Sequence, residues 1–187
     1  MRDAHASDGQ LVQRARAGDR PAFGALVARY LRPALAVAWE YAPSQDDAED
    51  LVQEAFHKAL RGLEGFDERL PFRPWLFTIV RNLGRNAAER DARWSSVAVP
   101  DTLPVDEPDP ADLAHRALLR DRIDRGLEAL PAMQRACVRL CDVEGFDVNE
   151  VAEMLGVAGA TVRTHRHRAR AALRQALQGL ADERRAE

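Results

Sequence analysis

An all-α protein built from two small helical domains is the fold the sequence predicts, on three observations. Apolar residues recur at three- and four-residue spacing on both sides of residues 96–112. Alanine and leucine are abundant there, and alternating β-branched runs are absent. Between the two helical blocks, Pro100, Pro104, Pro108 and Pro110 interleave with Asp101, Asp106, Glu107, Asp109 and Asp112. Proline removes backbone donors and the like charges repel, so this stretch predicts an extended, flexible acidic linker. The expected units are residues 8–95 and 113–180, joined by 96–112.

A chain of 187 residues suits two small domains or one large one. Its 46% hydrophobic and 30% charged residues describe an ordinary globular protein. The longest run without a charge, Met154 to Val162, has nine residues, whereas a membrane span needs about 20 apolar ones. No membrane insertion is expected. The opening Met1-Arg2-Asp3-Ala4-His5 lacks the apolar stretch of a secretory signal, and Cys137 and Cys141 are the only cysteines. The expected compartment is therefore the cytoplasm.

A net charge of −3 argues against nucleic acid only as an average. Residues 96–112 hold five acids and no base, which accounts for the deficit. Between Glu153 and Asp182 there is no acid at all, while Arg163, Arg166, Arg168, Arg170 and Arg174 occur. That is a local basic patch.

In the C-terminal block, Asp147-Val148-Asn149-Glu150 has the form of a capping box, so a helix is expected to begin there. Gly156-Val157-Ala158-Gly159 supplies a short turn, and a second helix is expected near Ala160. The spacing is that of a helix-turn-helix. On a wheel of about 100° per residue, Ala169, Leu173 and Ala176 fall within about 40° of Val162 and form the expected inner side. Arg163, Thr164, His167, Arg168 and Arg174 project from the other side, placed to enter a major groove. A solvated arginine-rich face would explain the same pattern, and the turn before it favours the groove. Cys137 and Cys141 share a helical face and read best as buried apolar residues, with no metal site expected.

In the N-terminal block, Ser44 caps a helix whose inner face is Ala48, Leu51, Val52, Ala55, Phe56 and Ala59. Asp47, Asp50, Gln53, Glu54 and His57 line the outer face, an acidic strip suited to a basic partner. A helix expected after Pro74 buries Trp75, Leu76, Ile79, Val80 and Leu83, with Thr78, Arg81, Asn82, Arg85 and Glu89 outward. Arginine and asparagine on one face combine phosphate contact with base readout. The loop Phe66 to Phe72 before it offers apolar surface where an unstacked base could lodge, although both rings suit a core equally well.

Two motifs resemble the extracytoplasmic-function sigma factors, a family of bacterial transcription initiation factors. Asp46-Asp47-Ala48-Glu49-Asp50-Leu51-Val52-Gln53-Glu54-Ala55-Phe56, then Pro71-Phe72-Arg73-Pro74-Trp75-Leu76 and Arg81-Asn82-Leu83, is similar to the family's second region. Leu130-Pro131, Asp142-Val143-Glu144-Gly145-Phe146, Val151-Ala152-Glu153-Met154-Leu155-Gly156-Val157, Thr161-Val162-Arg163 and Arg168-Ala169-Arg170 are similar to its fourth. The resemblance implies a subunit, not an enzyme and without cofactor, that joins core RNA polymerase through its beta-prime and beta subunits and directs it to promoter DNA. It implies core binding by Asp47, Glu49, Asp50, Gln53 and Glu54, and minus-10 recognition and melting by Phe66, Phe72, Arg81, Asn82, Arg85 and Asn86. Arg163, Thr164, His167 and Arg168 match the minus-35 reading positions, and an anti-sigma factor is the implied regulator. The chain departs from the family's pattern at Ala158 and Ala160, commonly proline and glycine. It departs again at Arg166, usually leucine or isoleucine, which lies near the inner side and must snorkel or find an acid. A dimeric helix-turn-helix operator-binding regulator is the rival reading, and it has no use for the acidic strip.

Overall fold

The computed structural model describes residues 6–91 and 123–186, and all regular structure among them is helical. Ser7 and Gln10 exchange side chain and backbone in a capping box that starts α1, Asp8–Arg16. Asp19 caps α2, Arg20–Ala38, with Pro21 in the first turn where its missing N–H costs nothing. The Ser44 hydroxyl accepts from the Asp47 amide at 3.2 Å and starts α3, Gln45–Gly62. A 3₁₀ turn, Leu63–Gly65, leads to α4, Phe72–Asp91. This helix starts three residues earlier than expected, because Pro74 is its third residue and the first amides of a helix have no intrahelical acceptor in any case.

The second half comprises α5 (123–128), α6 (Ala132–Val138), α7 (Val148–Leu155) and α8 (Gly159–Ala186). A π-helical turn, Arg139–Val143, extends α6. The expected linker, 96–112, lies outside the described residues.

Leu11, Leu26, Val37, Val52, Leu76, Phe77 and Val80 are fully buried among α1–α4. Each contributes about 1.5–3 kcal/mol relative to exposure. Tyr41, just after α2, lies so close to α4 that a Cβ on Gly84 would sit 2.4 Å from its ring. In the second half Leu140, Val151, Met154, Leu155 and Val162 form the core, with Leu127, Leu130, Val138 and Ala169 in a satellite cluster under Leu173. Ala176, expected inside, is exposed, because the described residues that pack on α8 end near Leu173.

The two halves are not separate in space. Their main cores form one continuous apolar cluster, with α7 against α4 and α6 with its π turn against α2. Arg135 of α6 lies over the Trp39 ring, 5.3 Å from its centroid.

Candidate nucleic-acid interface

The helix-turn-helix forms from local chemistry. The Asp147 carboxylate accepts from the amides of Asn149 at 2.7 Å and Glu150 at 2.9 Å, and Glu150 returns a carboxylate oxygen to the Asp147 amide. At the other end of α7, Gly156 adopts φ +68°, and the Val157 amide reaches back to Ala152 O at 3.0 Å. This left-handed closure needs glycine. Two residues later α8 begins, with Val162 and Ala169 buried inward.

Arg163, Thr164, His167 and Arg168 are all exposed on α8, as the wheel predicts. Thr164 bonds back to Ala160 O at 3.0 Å, while Arg163, His167 and Arg168 make no hydrogen bond or ion pair among the described residues. These side chains are available to a groove. Arg166, the departure from the family pattern, does find an acid. Its guanidinium donates to Asp142 Oδ1 from Nη2 at 2.5 Å and from Nε at 3.1 Å.

On α3, Asp47, Glu49, Asp50, Gln53 and Glu54 are exposed above an inner face of Ala48, Leu51, Val52, Ala55, Phe56 and Ala59. Local pairs occupy part of the strip: Glu54 with Lys58 at 3.2 Å, Glu49 with Gln45 at 2.8 Å, and Asp47 with Ser44 at 2.5 Å. Asp50 makes no such contact among the described residues.

The arginine-asparagine face of α4 is divided. Asn82, Arg85 and Asn86 are exposed, and Arg85 also bonds to Tyr41. Arg81, expected to face outward, instead turns its guanidinium into the end of α7. There Nη1 donates to Glu153 O at 2.8 Å and to Met154 O at 2.6 Å. These are carbonyls at a helix C-terminus, where partial negative charge collects, so the arginine acts as a cap supplied by the other half of the molecule. Gly156 makes room for it, since a Cβ there would lie 3.0 Å from Arg81 Nε. About two turns earlier on α4, Arg73 donates to Glu150 Oε1 at 2.5 Å and lies over the Phe146 ring. Glu150 thus closes the α7 cap with one oxygen and holds α4 with the other.

Phe66 and Phe72 are buried, packed with Trp75 and with Tyr30 in an aromatic cluster. Their rings are core, not open stacking platforms. They do line a cavity of about 450 Å³ together with Leu70, Arg69, Glu68 and the start of α1 at Ser7, Asp8 and Gly9. Leu70 stands exposed at its rim. Beneath it the Asp8 carboxylate accepts from Arg29 at 2.5 Å and from the Tyr30 hydroxyl. Burial, then the bond to Asp8, raises the Tyr30 hydroxyl well above its ordinary value.

Cys137 and Cys141 are buried, and burial pushes the Cys137 thiol up to about 12, with Cys141 and Glu40 adding to it. Such a thiol is unreactive near neutral pH.

A family model described as Sigma-70 region 2 matches residues 26–94, and one described as Sigma-70, region 4 matches 120–173. The ECF RNA polymerase sigma-E factor of Escherichia coli (strain K12) is 31% identical, aligned over 93% of this chain and 96% of its own length. The chain belongs to the ECF RNA polymerase sigma factors. The ECF RNA polymerase sigma factor SigE of Mycolicibacterium smegmatis is 34% identical over 84% of this sigma factor, which spans 62% of that protein's length. Among solved structures, CnrH in complex with the cytosolic domain of CnrY matches with a TM-score of 0.60 and 29% identity, covering 93% of this chain and 99% of that one. The sigma factor RpoE of Bartonella quintana, solved with the anti-sigma factor NepR, matches with a TM-score of 0.59 and 25% identity, covering 82% and 93%. The family assignment does not favour the operator-binding regulator. No described helix of the sigma factor is long and apolar enough to cross a membrane.

Proposed function

We propose that this sigma factor joins core RNA polymerase in the cytoplasm, directs it to promoters with both minus-10 and minus-35 elements, and aids opening of the duplex. It acts by binding alone and leaves the chemistry to the polymerase. Residues 8–95 are the unit for core binding and minus-10 recognition, 113–180 the unit for minus-35 recognition, and 96–112 the linker between them. The observation that carries the reading is the exposed Arg163, Thr164, His167 and Arg168 face on the second helix of a closed helix-turn-helix.

In this reading the exposed α3 strip of Asp47, Glu49, Asp50, Gln53 and Glu54 docks on core polymerase. Asn82, Arg85, Asn86 and Arg81 meet the opening minus-10 strand. The cavity at the 66–72 loop receives an unstacked base, with Phe66 and Phe72 as its floor. Elements 25 positions apart are separated by roughly 85 Å of duplex at about 3.4 Å per pair. The halves touch here through α4 and α7, so promoter engagement requires them to part, which releases Arg81 and Arg73. Two solved relatives that resemble this chain are held in complexes, one of them with an anti-sigma factor. An anti-sigma factor that binds the closed form of this chain would keep it from promoters.

Run-off transcription with purified core enzyme tests the whole reading: a promoter-specific transcript is expected only with both components. Replacing Asp50 and Glu54 by lysine should weaken core binding at least tenfold while leaving helical circular dichroism intact, since both side chains are exposed. Unchanged binding would move the docking surface elsewhere.

A further inference from the structure

Asp142 sits in the π turn that precedes the helix-turn-helix, beside the flank of α8. Its carboxylate takes both guanidinium groups of an i, i+4 pair. Arg166 donates through Nη2 at 2.5 Å and Nε at 3.1 Å, and Arg170 donates through Nε at 3.0 Å and through Nη2. Burial raises the acid, but the bonds from Arg170 and Arg166 outweigh it and hold the carboxyl below its ordinary value. The Asp142 side chain is 21% exposed and that of Arg166 30%, so the pair is sheltered on one side, while Arg170 at 53% is more open.

Around α8, Arg166 and Arg170 lie within about 60° of Arg163 at about 100° per residue. They border the reading face without belonging to it. Left unpaired, two arginines at that border would reach phosphates on either side of any groove, whatever its sequence. Phosphate contacts strengthen all sites alike, while base contacts distinguish them.

We propose that Asp142 is a specificity-determining residue of the minus-35 reader: it ties Arg166 and Arg170 to the protein, withholds both from the DNA backbone, and fixes the rotation of α8 that presents Arg163, Thr164, His167 and Arg168. The inference rests on the minus-35 role of α8 given above. It also explains how the chain accommodates arginine at a position where the family usually has leucine or isoleucine.

The test uses holoenzyme reconstituted with core polymerase, on promoter duplexes with an intact or a scrambled minus-35 element, titrated with salt. Each phosphate contact adds about 0.9 to the slope of log affinity against log salt, worth about fivefold near 0.15 M. Asp142→Asn should steepen the slope by about 1–2 on both duplexes through the released arginines and, because the rotation of α8 is no longer fixed, lower the ratio of their affinities; a steeper slope with an unchanged ratio would overturn the specificity role. Arg166→Gln with Arg170→Gln, Asp142 being kept, should leave the slope as in the wild type, because those arginines make no phosphate contact in the unaltered protein. A slope reduced by about 2 in that double variant would overturn the proposal, even if Asp142→Asn does not fold. So would Asp142→Asn with a changed affinity ratio but an unchanged slope, or with neither changed. Arg163→Ala separates the two levels of the argument: if it fails to alter the preference for the intact element, the minus-35 role of α8 is wrong, independently of Asp142.

Discussion

α4 and α8 both carry arginines on the side away from their own cores, yet the two sets are in opposite states. On α8, Arg163 and Arg168 are exposed and unpaired among the described residues, while the arginines at the flank are bound to Asp142. On α4, Arg81 and Arg73 are bound by α7, and Asn82 and Arg85 beside them remain exposed. The difference lies in where the negative partner comes from. α8 is restrained by a neighbour within its own half, which can stay in place when DNA binds. α4 is restrained by the other half, and that restraint disappears once the halves separate. Under the proposed function, the same residue type is a standing reader in one helix and a releasable one in the other.

The strongest way to break this contrast is at Gly156. Gly156→Val combines a left-handed backbone with a clash against Arg81, and a loss of about 2–4 kcal/mol is expected in thermal or denaturant unfolding. Gly145→Val is the control, because its φ is +79° but open space surrounds it. The excess loss at Gly156 measures the contact between the halves, and equal losses would mean that Arg81 contributes nothing.

On the α8 side, Arg168→Ala should cost about 1–3 kcal/mol of promoter affinity, the range for a good bidentate base contact. In permanganate footprinting beside a mobility shift, both signals should fall together. Asn82→Ala should instead reduce permanganate reactivity more than the shift. Loss of closed-complex binding with Asn82→Ala would reverse the roles assigned to the two helices.

A smaller effect is expected at the acid that holds Arg73. Glu150→Gln retains an acceptor for the Asp147 amide but removes the charge, so α7 should stay capped while the halves loosen. A label pair on α2 and α7 should report a more open distribution, and the free chain should bind a minus-10 single strand about threefold to tenfold more tightly. Binding to a minus-35 duplex should not change, since Glu150 is remote from the α8 reading face in role.

The smallest effect concerns Glu40, beside the same interface, where the buried Oε2 has no hydrogen-bond partner among the described residues. Burial raises its carboxyl above the ordinary 4.5 despite the attraction of Arg85 and Arg81, and Tyr41 and Cys137 also lie close enough to feel it. A carboxyl raised by folding stabilises most below its ordinary value, and that contribution is lost as pH rises through the raised one. Glu40→Gln should therefore be slightly more stable than the wild type at pH 7, with the advantage vanishing as pH falls toward 4.5. Melting temperatures of the two proteins across that interval check the sign.

Much of the molecule was legible because it is local. The box at Asp147, the cap at Ser44, the glycine closure at Gly156 and the inner face of α3 all depend on residues within a few positions of one another. The exposure of the α8 reading residues and of the α3 strip followed from the same periodicity. Where expectation failed, the cause was distance along the chain. Ala176 lies on the expected face of α8 and is exposed, with no described residue packed over it. Arg81 lies on the outer face of α4 and is engaged because α7, some 70 residues later, ends against it.

By itself, then, the sequence determined the helices, most of their caps, the family and the exposure of the charged faces of α3 and α8, since hydrophobic period and capping chemistry act within a turn or two. Only the tertiary structure decided which charges are free. Whether an arginine meets a carboxylate, a helix-end carbonyl or solvent depends on which surfaces pack together, and residues such as Asp142 and Glu150 show no mark of their partners until α8 and α4 are laid against them.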